Sequence, residues 1–316
     1  MRWGVKDIKA KIKELLNNRE TIQSLLLLEK ARRGVHKGSL LFIGMANIAG
    51  YYWCAMQAVL KSKTNELGFF SAYLYDRIWY SHQLGFIDKL PNSKKALLDI
   101  GVEIAFDDVQ KLLREKAERA QNVSVTFEAT EFTDEYGERI MLINPDLPLE
   151  QRVEYEMEAK GKGIRIGDPE KFPKLRGKFL ETQRAERYPT IRWDFEWGKY
   201  VIVGVPDGIT KKFVYEFKTT RNRFLMGFMK PVALTQADLY GYFFMRDKKR
   251  VQIHIVEEGT SETWESEVDS TKAEMVLKDF TRVDTGWVPP SPKTWKCKSC
   301  EFKPMCPITP PSSDNA

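Results

Sequence analysis

A tandem of three short strands constrains this chain more than any other feature. Ile191, Trp193, Phe195 and Trp197 alternate with Arg192, Asp194 and Glu196, the period-two signature of a half-buried strand. Gly198 and Lys199 make a turn. Residues 200–205 read as a second, almost wholly apolar strand ended by Pro206, Asp207 and Gly208. Lys211 and Lys212 turn the chain again, and residues 213–218 form the third strand of the meander. A helix over residues 234–246, a strand over 251–256, an edge strand near 263–268 and a helix over 270–283 complete an α/β pattern.

Upstream, residues 5–33 repeat Ile and Leu at helical spacing among Lys and Glu, which predicts one long amphipathic helix stopped near Gly34. Residues 38–60 carry no charge. The stretch is long enough to span a bilayer, but Asn47, Gln57 and three glycines favour a buried helix over 39–61, bearing Cys54 in its second half. An aromatic-rich helix with His82 is expected over 70–88, and His36 and His254 look incidental. Residues 97–170 are acid-rich, with a helix near 97–120 and strands near 123–132 and 139–144. They read as an insertion with no assigned chemistry. The organisation expected is a helical region over 1–96, the insertion over 97–170, a core over 171–286 and a cysteine segment with a disordered tail over 287–316.

The chain has 316 residues, 42% hydrophobic, a net charge of +6 and a pI near 8.9. That composition excludes a disordered chain and suits a polyanionic partner. The charged N-terminal pattern lacks the apolar core of a secretion signal, so a cytoplasmic protein without a membrane anchor is expected.

Side chains alternate along a strand, so Glu216 and Lys218 share a face, beside Asp207 at the end of the neighbouring strand. Hard divalent ions such as Mg2+ or Mn2+ take oxygen ligands, which Asp207, Glu216 and the Phe217 carbonyl supply. Lys218 would position an attacking water or offset transition-state charge. The bland reading of Glu216 and Lys218 is a solvated edge pair. Four cysteines, Cys54, Cys297, Cys300 and Cys306, are enough for one zinc ion or one cubane cluster.

Val203 to Ile209 followed by Val214 to Thr220 resembles the D…E-x-K core of the PD-(D/E)xK nuclease superfamily, in its RecB-like branch. The resemblance implies a restriction-endonuclease-like core, a mixed central sheet flanked by helices. That branch carries a Q-x-x-x-Y motif on the next helix, matched by Gln236 and Tyr240, which share one helix face. A distant N-terminal cysteine with C-x-x-C-x5-C at the C-terminus resembles the iron–sulfur subset, which includes the CRISPR-associated RecB-like exonucleases and the AddB nuclease domain. The implied cofactors are a 4Fe-4S cluster, acting as a clasp, and Mg2+ or Mn2+. The implied activity is deoxyribonuclease action, as an exonuclease on single-stranded DNA or DNA ends, in CRISPR adaptation or end processing. The implied partners are DNA and other nuclease or CRISPR adaptation proteins. The family's metal-binding histidine has no counterpart here. Glu181 stands at its offset, and His82 competes for the role.

Two further readings stay open: a catalytically weak DNA-end-binding subunit and a zinc-clasped interaction protein. Arg221, Arg223 and Lys230, with Lys293, Lys296, Lys298 and Lys303 around the cysteines, are candidate phosphate contacts. Tyr240 is a candidate for stacking on a base.

Overall fold

The computed structural model of the protein describes residues 5–91, 93–101, 104–119, 129–133, 138–144, 147–167, 177, 180–181, 184–298 and 300–308. The fold is α/β, with helices and mixed sheets. The first helical region is two helices, α1 (Val5–Leu15) and α2 (Arg19–Arg32), and not one. Asn18 makes the break. Its side chain accepts from the Thr21 amide at 2.9 Å and starts the second helix.

The uncharged stretch also departs from expectation. It opens with a strand, β1 (Phe42–Gly44), then a short helix, α3 (Met45–Ala49), and a single tight turn over Gly50–Tyr52. Cys54 follows in extended backbone at the N-cap of α4 (Ala55–Gln83), a continuous 29-residue helix that absorbs most of the aromatic helix expected over 70–88. The strand is buried throughout and pairs in parallel with a later strand. A strand buried on both sides has no alternation to read, so hydropathy alone cannot tell it from a helix.

The helix expected over 97–120 is α5 (Lys94–Asp99) and α6 (Phe106–Arg119). Gly101, at φ +76°, turns the chain between them in a conformation that side chains rarely adopt. Next come β2 (Ala129–Thr133), β3 (Arg139–Ile143), α7 (Leu149–Gly161) and β4 (Arg165–Ile166). The first part of the strand expected over 123–132 lies outside the described residues. These elements form a small sheet of order β2-β3-β4, with its own apolar cluster of Met141, Ala159 and Ile164.

The tandem strands are β5 (Trp193–Trp197), β6 (Tyr200–Gly204), β7 (Gly208–Ile209) and β8 (Phe213–Thr220). They do not lie in one meander. Among the described residues, β5 and β6 join β1 in a sheet of order β1-β6-β5. The strands β7 and β8 join β9 (Lys248–Ile255) and β10 (Thr260–Glu267) in a second sheet of order β10-β9-β8-β7. Asp207 therefore stands where the chain passes from one sheet to the next.

The helix between β8 and β9, α8 (Arg223–Phe244), begins eleven residues before its expected start at 234. Asn222 caps it by accepting from the Leu225 amide at 3.1 Å, and Pro231 lies inside it. The chain closes with α9 (Ser270–Asp284) and α10 (Thr294–Lys298).

One apolar core joins α1, α2 and α4 to β5, β6, β8, α8 and α9. Two ion pairs fasten α4 to β5 and the residue before it. Arg77 is bidentate to Asp194 at 3.1 and 2.6 Å, and Arg192 is bidentate to Asp76 at 2.5 and 2.9 Å. Among the described residues, no helix is long and apolar enough to cross a membrane.

Candidate active site

The strand register builds the site. In the antiparallel β7–β8 pair, Gly208 faces Tyr215 and Ile209 faces Val214, so one step further puts Asp207 opposite Glu216. The Asp207 carboxylate accepts the Phe217 amide at 2.7 Å, which extends the ladder by a side chain where the strand ends. The segment carrying Tyr188 packs closely on β7 because Gly208 carries no side chain. A Cβ there would stand 2.5 Å from the Tyr188 Cβ. Gly208 was expected to end the second strand with Pro206 and Asp207; it instead opens β7, and it lacks a left-handed φ.

Glu216 is fully buried, and one of its oxygens takes the Lys218 ammonium. This is not a solvated edge pair. The strand β8 runs inside its sheet between β7 and β9, and the Lys218 side chain is only 27% exposed. Glu216 Oε2 is buried without a hydrogen-bond partner. Burial, then the adjacent Asp207, push the Glu216 carboxyl up to about 8 against the pull of Lys218. Burial raises Asp207 too, although Lys218 and the Phe217 amide favour its charge. Burial opposes the charge on Lys218, but Glu216 and Asp207 together outweigh it and raise the ammonium.

The helix α8 lies against β8 and presents Gln236 and Tyr240 on one face. The Gln236 amide donates to the Tyr240 hydroxyl at 2.9 Å, and both residues are buried. Burial holds the Tyr240 hydroxyl well above its ordinary range, reinforced by Glu216 and Asp207. Tyr240 is 2% exposed, so it cannot stack on a base as the sequence suggested. It supports Gln236 instead.

Glu181 is half-buried and helical, close enough to raise both Glu216 and Lys218 electrostatically. His82 lies elsewhere, near the end of α4, with its ring nitrogen 3.3 Å from the Ile87 carbonyl. His254 pairs with Ser261 at 3.0 Å.

Sequence reasoning missed Asn47. On α3, 7% exposed, it lines a cleft of about 280 Å3 together with Lys218, Gln236, Trp53 and Lys61. Its amide nitrogen has no hydrogen-bond partner. A buried unsatisfied donor on a cleft wall is suited to an incoming acceptor. The available signal was one polar residue inside the uncharged stretch.

The four cysteines line a single cavity with Trp53, Gln57 and Lys296. Trp53 and Gln57 also line the cleft, so the two spaces share a wall. Burial raises the Cys54 thiol, while the Gln57 and Met56 amides at the start of α4 favour its thiolate. Burial, then Cys300 and Cys306, raise the Cys297 thiol. Among the described residues, no three His, Cys, Asp or Glu side chains close to the spacing of one bound ion.

Several expected phosphate contacts have partners already. Arg221 pairs with Glu257, Arg223 with Glu258 and Glu262, and Lys230 sits 4.1 Å from the Trp264 ring centre.

No family model matches the chain, and no curated protein does. Among solved structures, the crystal structure of SSO0001 is similar at a TM-score of 0.34 and 19% identity, over 64% of this chain and 97% of that one. A likeness that slight carries no argument about fold or chemistry.

Proposed function

We propose that this chain is a metal-dependent deoxyribonuclease with a RecB-like PD-(D/E)xK core, acting in the cytoplasm on single-stranded DNA or DNA ends. CRISPR adaptation or DNA end processing, alongside other nuclease or adaptation proteins, is the setting the resemblance implies. The observation that carries the reading is Glu216: a fully buried carboxylate with one oxygen on Lys218, the other unpartnered, and Asp207 in the opposing register position.

That donor set fits Mg2+ or Mn2+. Such ions bind through one or two carboxylates and complete their shell with water and substrate phosphate, so a three-residue cage is not required. Asp207 and Glu216 would hold the ion with the Phe217 carbonyl, and Glu181 is a further oxygen donor nearby. When bound, the ion supplies Lewis-acid activation of the scissile phosphate. Lys218 lines the cleft and offsets the negative charge that develops on the phosphoryl oxygens. Tyr240 fixes the Gln236 amide against the same cleft, and Asn47, which also lines it, offers its unpartnered donor.

The cysteine cavity fits a 4Fe-4S cluster by its donors, four thiols from two distant segments around one space. The role assigned to it is a clasp joining Cys54 to the C-terminal segment. A second reading, a catalytically weak DNA-end-binding subunit, is favoured by one observation: a glutamate, Glu181, and no histidine, stands beside the carboxylates among the described residues.

Anaerobic purification with iron and sulfide assay, followed by Mn2+-dependent digestion of end-labelled single-stranded DNA, tests the proposal. A brown protein that digests the strand, and a Glu216→Ala variant that does not, are expected. Equal digestion by both removes the active-site assignment. Colourless protein containing zinc removes the cluster. Strand binding without digestion supports the second reading.

A further inference from the structure

Beside the cleft lies an aromatic group that the proposed chemistry does not use. Trp53 and Trp295 stand 5.5 Å apart, Phe228 lies 5.3 Å from Trp295 and 6.5 Å from Trp53, and Phe224 extends the row 5.4 Å beyond Phe228. All four contacts are edge-on, at 71 to 85°. Phe224 is 70% exposed, and the other three rings are half-buried. A row of large rings left open to solvent costs solubility unless something covers it.

Two cations belong to the group. The Lys296 ammonium lies 4.5 Å from the Trp53 ring centre and 5.4 Å from that of Phe228, and Lys293 lies 5.4 Å from the Phe228 ring centre. The Lys296 ammonium thus sits among Trp53, Phe228 and Trp295, 5.9 Å from the last ring centre, with Lys293 beside Phe228. Trp53 lines the cleft that holds Lys218 and Gln236, so the surface runs into the candidate active site. An uncharged peptide or a lipid tail would leave the ammonium groups unmatched. A folded duplex offers phosphates but keeps its base faces stacked. A single strand offers both a phosphate row and free base faces.

We propose that Trp53, Phe224, Phe228 and Trp295, with Lys293 and Lys296, form a base-stacking subsite that feeds single-stranded DNA into the cleft. The subsite rests on the nuclease reading for its substrate. Its rings take bases, and its two lysines add positive charge along the path of the phosphates.

The test is fluorescence anisotropy of labelled dT12 with the anaerobically purified full chain in EDTA, where binding is read without cleavage. A strand of equal length with abasic positions is the comparison. Wild type should bind dT12 about tenfold or more tighter than the abasic strand, since stacking contributes strongly per base. Phe224→Ala, at an exposed position, keeps the fold and should weaken dT12 binding several-fold while leaving abasic binding unchanged. Trp295→Ala should weaken dT12 more, and Trp295→Phe should restore most of it. Equal affinity for the two strands, or a Phe224→Ala and Trp295→Ala pair that binds dT12 like wild type, overturns the subsite. Tighter binding of a duplex than of the strand also overturns it. Cleavage is measured separately with Mn2+, so dT12 binding without cleavage upholds the subsite and sinks the nuclease reading, and the reverse result does the opposite.

Discussion

The Lys296 ammonium donates to the Trp53 carbonyl at 2.9 Å, across 243 positions of sequence. Trp53 precedes Cys54 and Lys296 precedes Cys297, so this bond ties together the two segments whose cysteines share a cavity. Opening that junction returns a very long loop to the unfolded chain's freedom.

Cys300→Ala is therefore expected to lower the melting temperature by roughly 5–10 °C, the counterpart of a clasp contributing a few kcal/mol in a domain this large. Iron content and a thermal scan under nitrogen check it. An unchanged melting temperature would mean that the cysteines do not act as a clasp.

The pH dependence of the metal-free protein follows from Glu216. Its ordinary value is 4.5, and in the fold it is pushed up to about 8. Between those values the folded protein holds a proton that the unfolded chain has released. Stability is thus predicted to fall as pH rises from about 4.5 to 8, with the loss complete above 8. Asp207 is raised too and acts in the same direction. Lys218 is raised from 10.5 and stays charged through this window. Glu216→Gln removes the Glu216 contribution and should flatten the curve of melting temperature against pH. Because Mn2+ must displace that proton, its affinity should climb toward pH 8 and level off above it. Calorimetric titration at pH 6, 7, 8 and 9 reads this directly. A flat affinity profile contradicts the assignment of Glu216 as ligand.

Gly208→Ala probes the close packing of Tyr188 on β7, next to Asp207. The new methyl would meet the Tyr188 Cβ, which cannot swing aside as a side-chain tip does. Overpacking of this kind costs about 1–3 kcal/mol. Cleavage is expected to fall by tenfold or more while circular dichroism keeps its wild-type shape, since Asp207 is displaced and the core is not. Wild-type turnover would show that the register tolerates the shift.

Asp194→Ala tests the link between α4 and β5. The carboxylate is 5% exposed and its partner Arg77 is 14% exposed, with the guanidinium also 4.3 Å from the Trp193 ring centre. Removing one member of a buried pair strands the other charge, at a cost of about 3–5 kcal/mol. Urea denaturation should show a loss of that size, and Asp194→Leu combined with Arg77→Met should recover part of it. A double variant no better than the single one would put the stabilising contribution outside the ion pair.

Period-two alternation and i,i+4 spacing made much of the site legible. They fix which side chains share a face, so Glu216 and Lys218 came together, and so did Gln236 and Tyr240. Burial was less legible. Tyr240 reads as a stacking aromatic until the packing of α8 on β8 encloses it. The uncharged stretch hid β1 and α3, because a strand buried on both faces and a buried helix have the same hydropathy. Asn47 was hidden with them, since its meaning depends on a cleft formed with residues about 170 to 190 positions away. Pro231 masked the early start of α8, which Asn222 caps.

In the proposed reaction Asp207 and Glu216 hold a divalent ion that drives strand cleavage, with Lys218 beside it. Single-turnover cleavage of end-labelled single-stranded DNA, followed across a Mn2+ titration at pH 8 for wild type and Glu216→Gln, tests it most directly. Wild type should show saturable Mn2+ dependence, and the variant a loss on the order of a thousandfold at every concentration, matching several kcal/mol of transition-state stabilisation. Cleavage by Glu216→Gln at the wild-type rate and with the wild-type Mn2+ midpoint would contradict it.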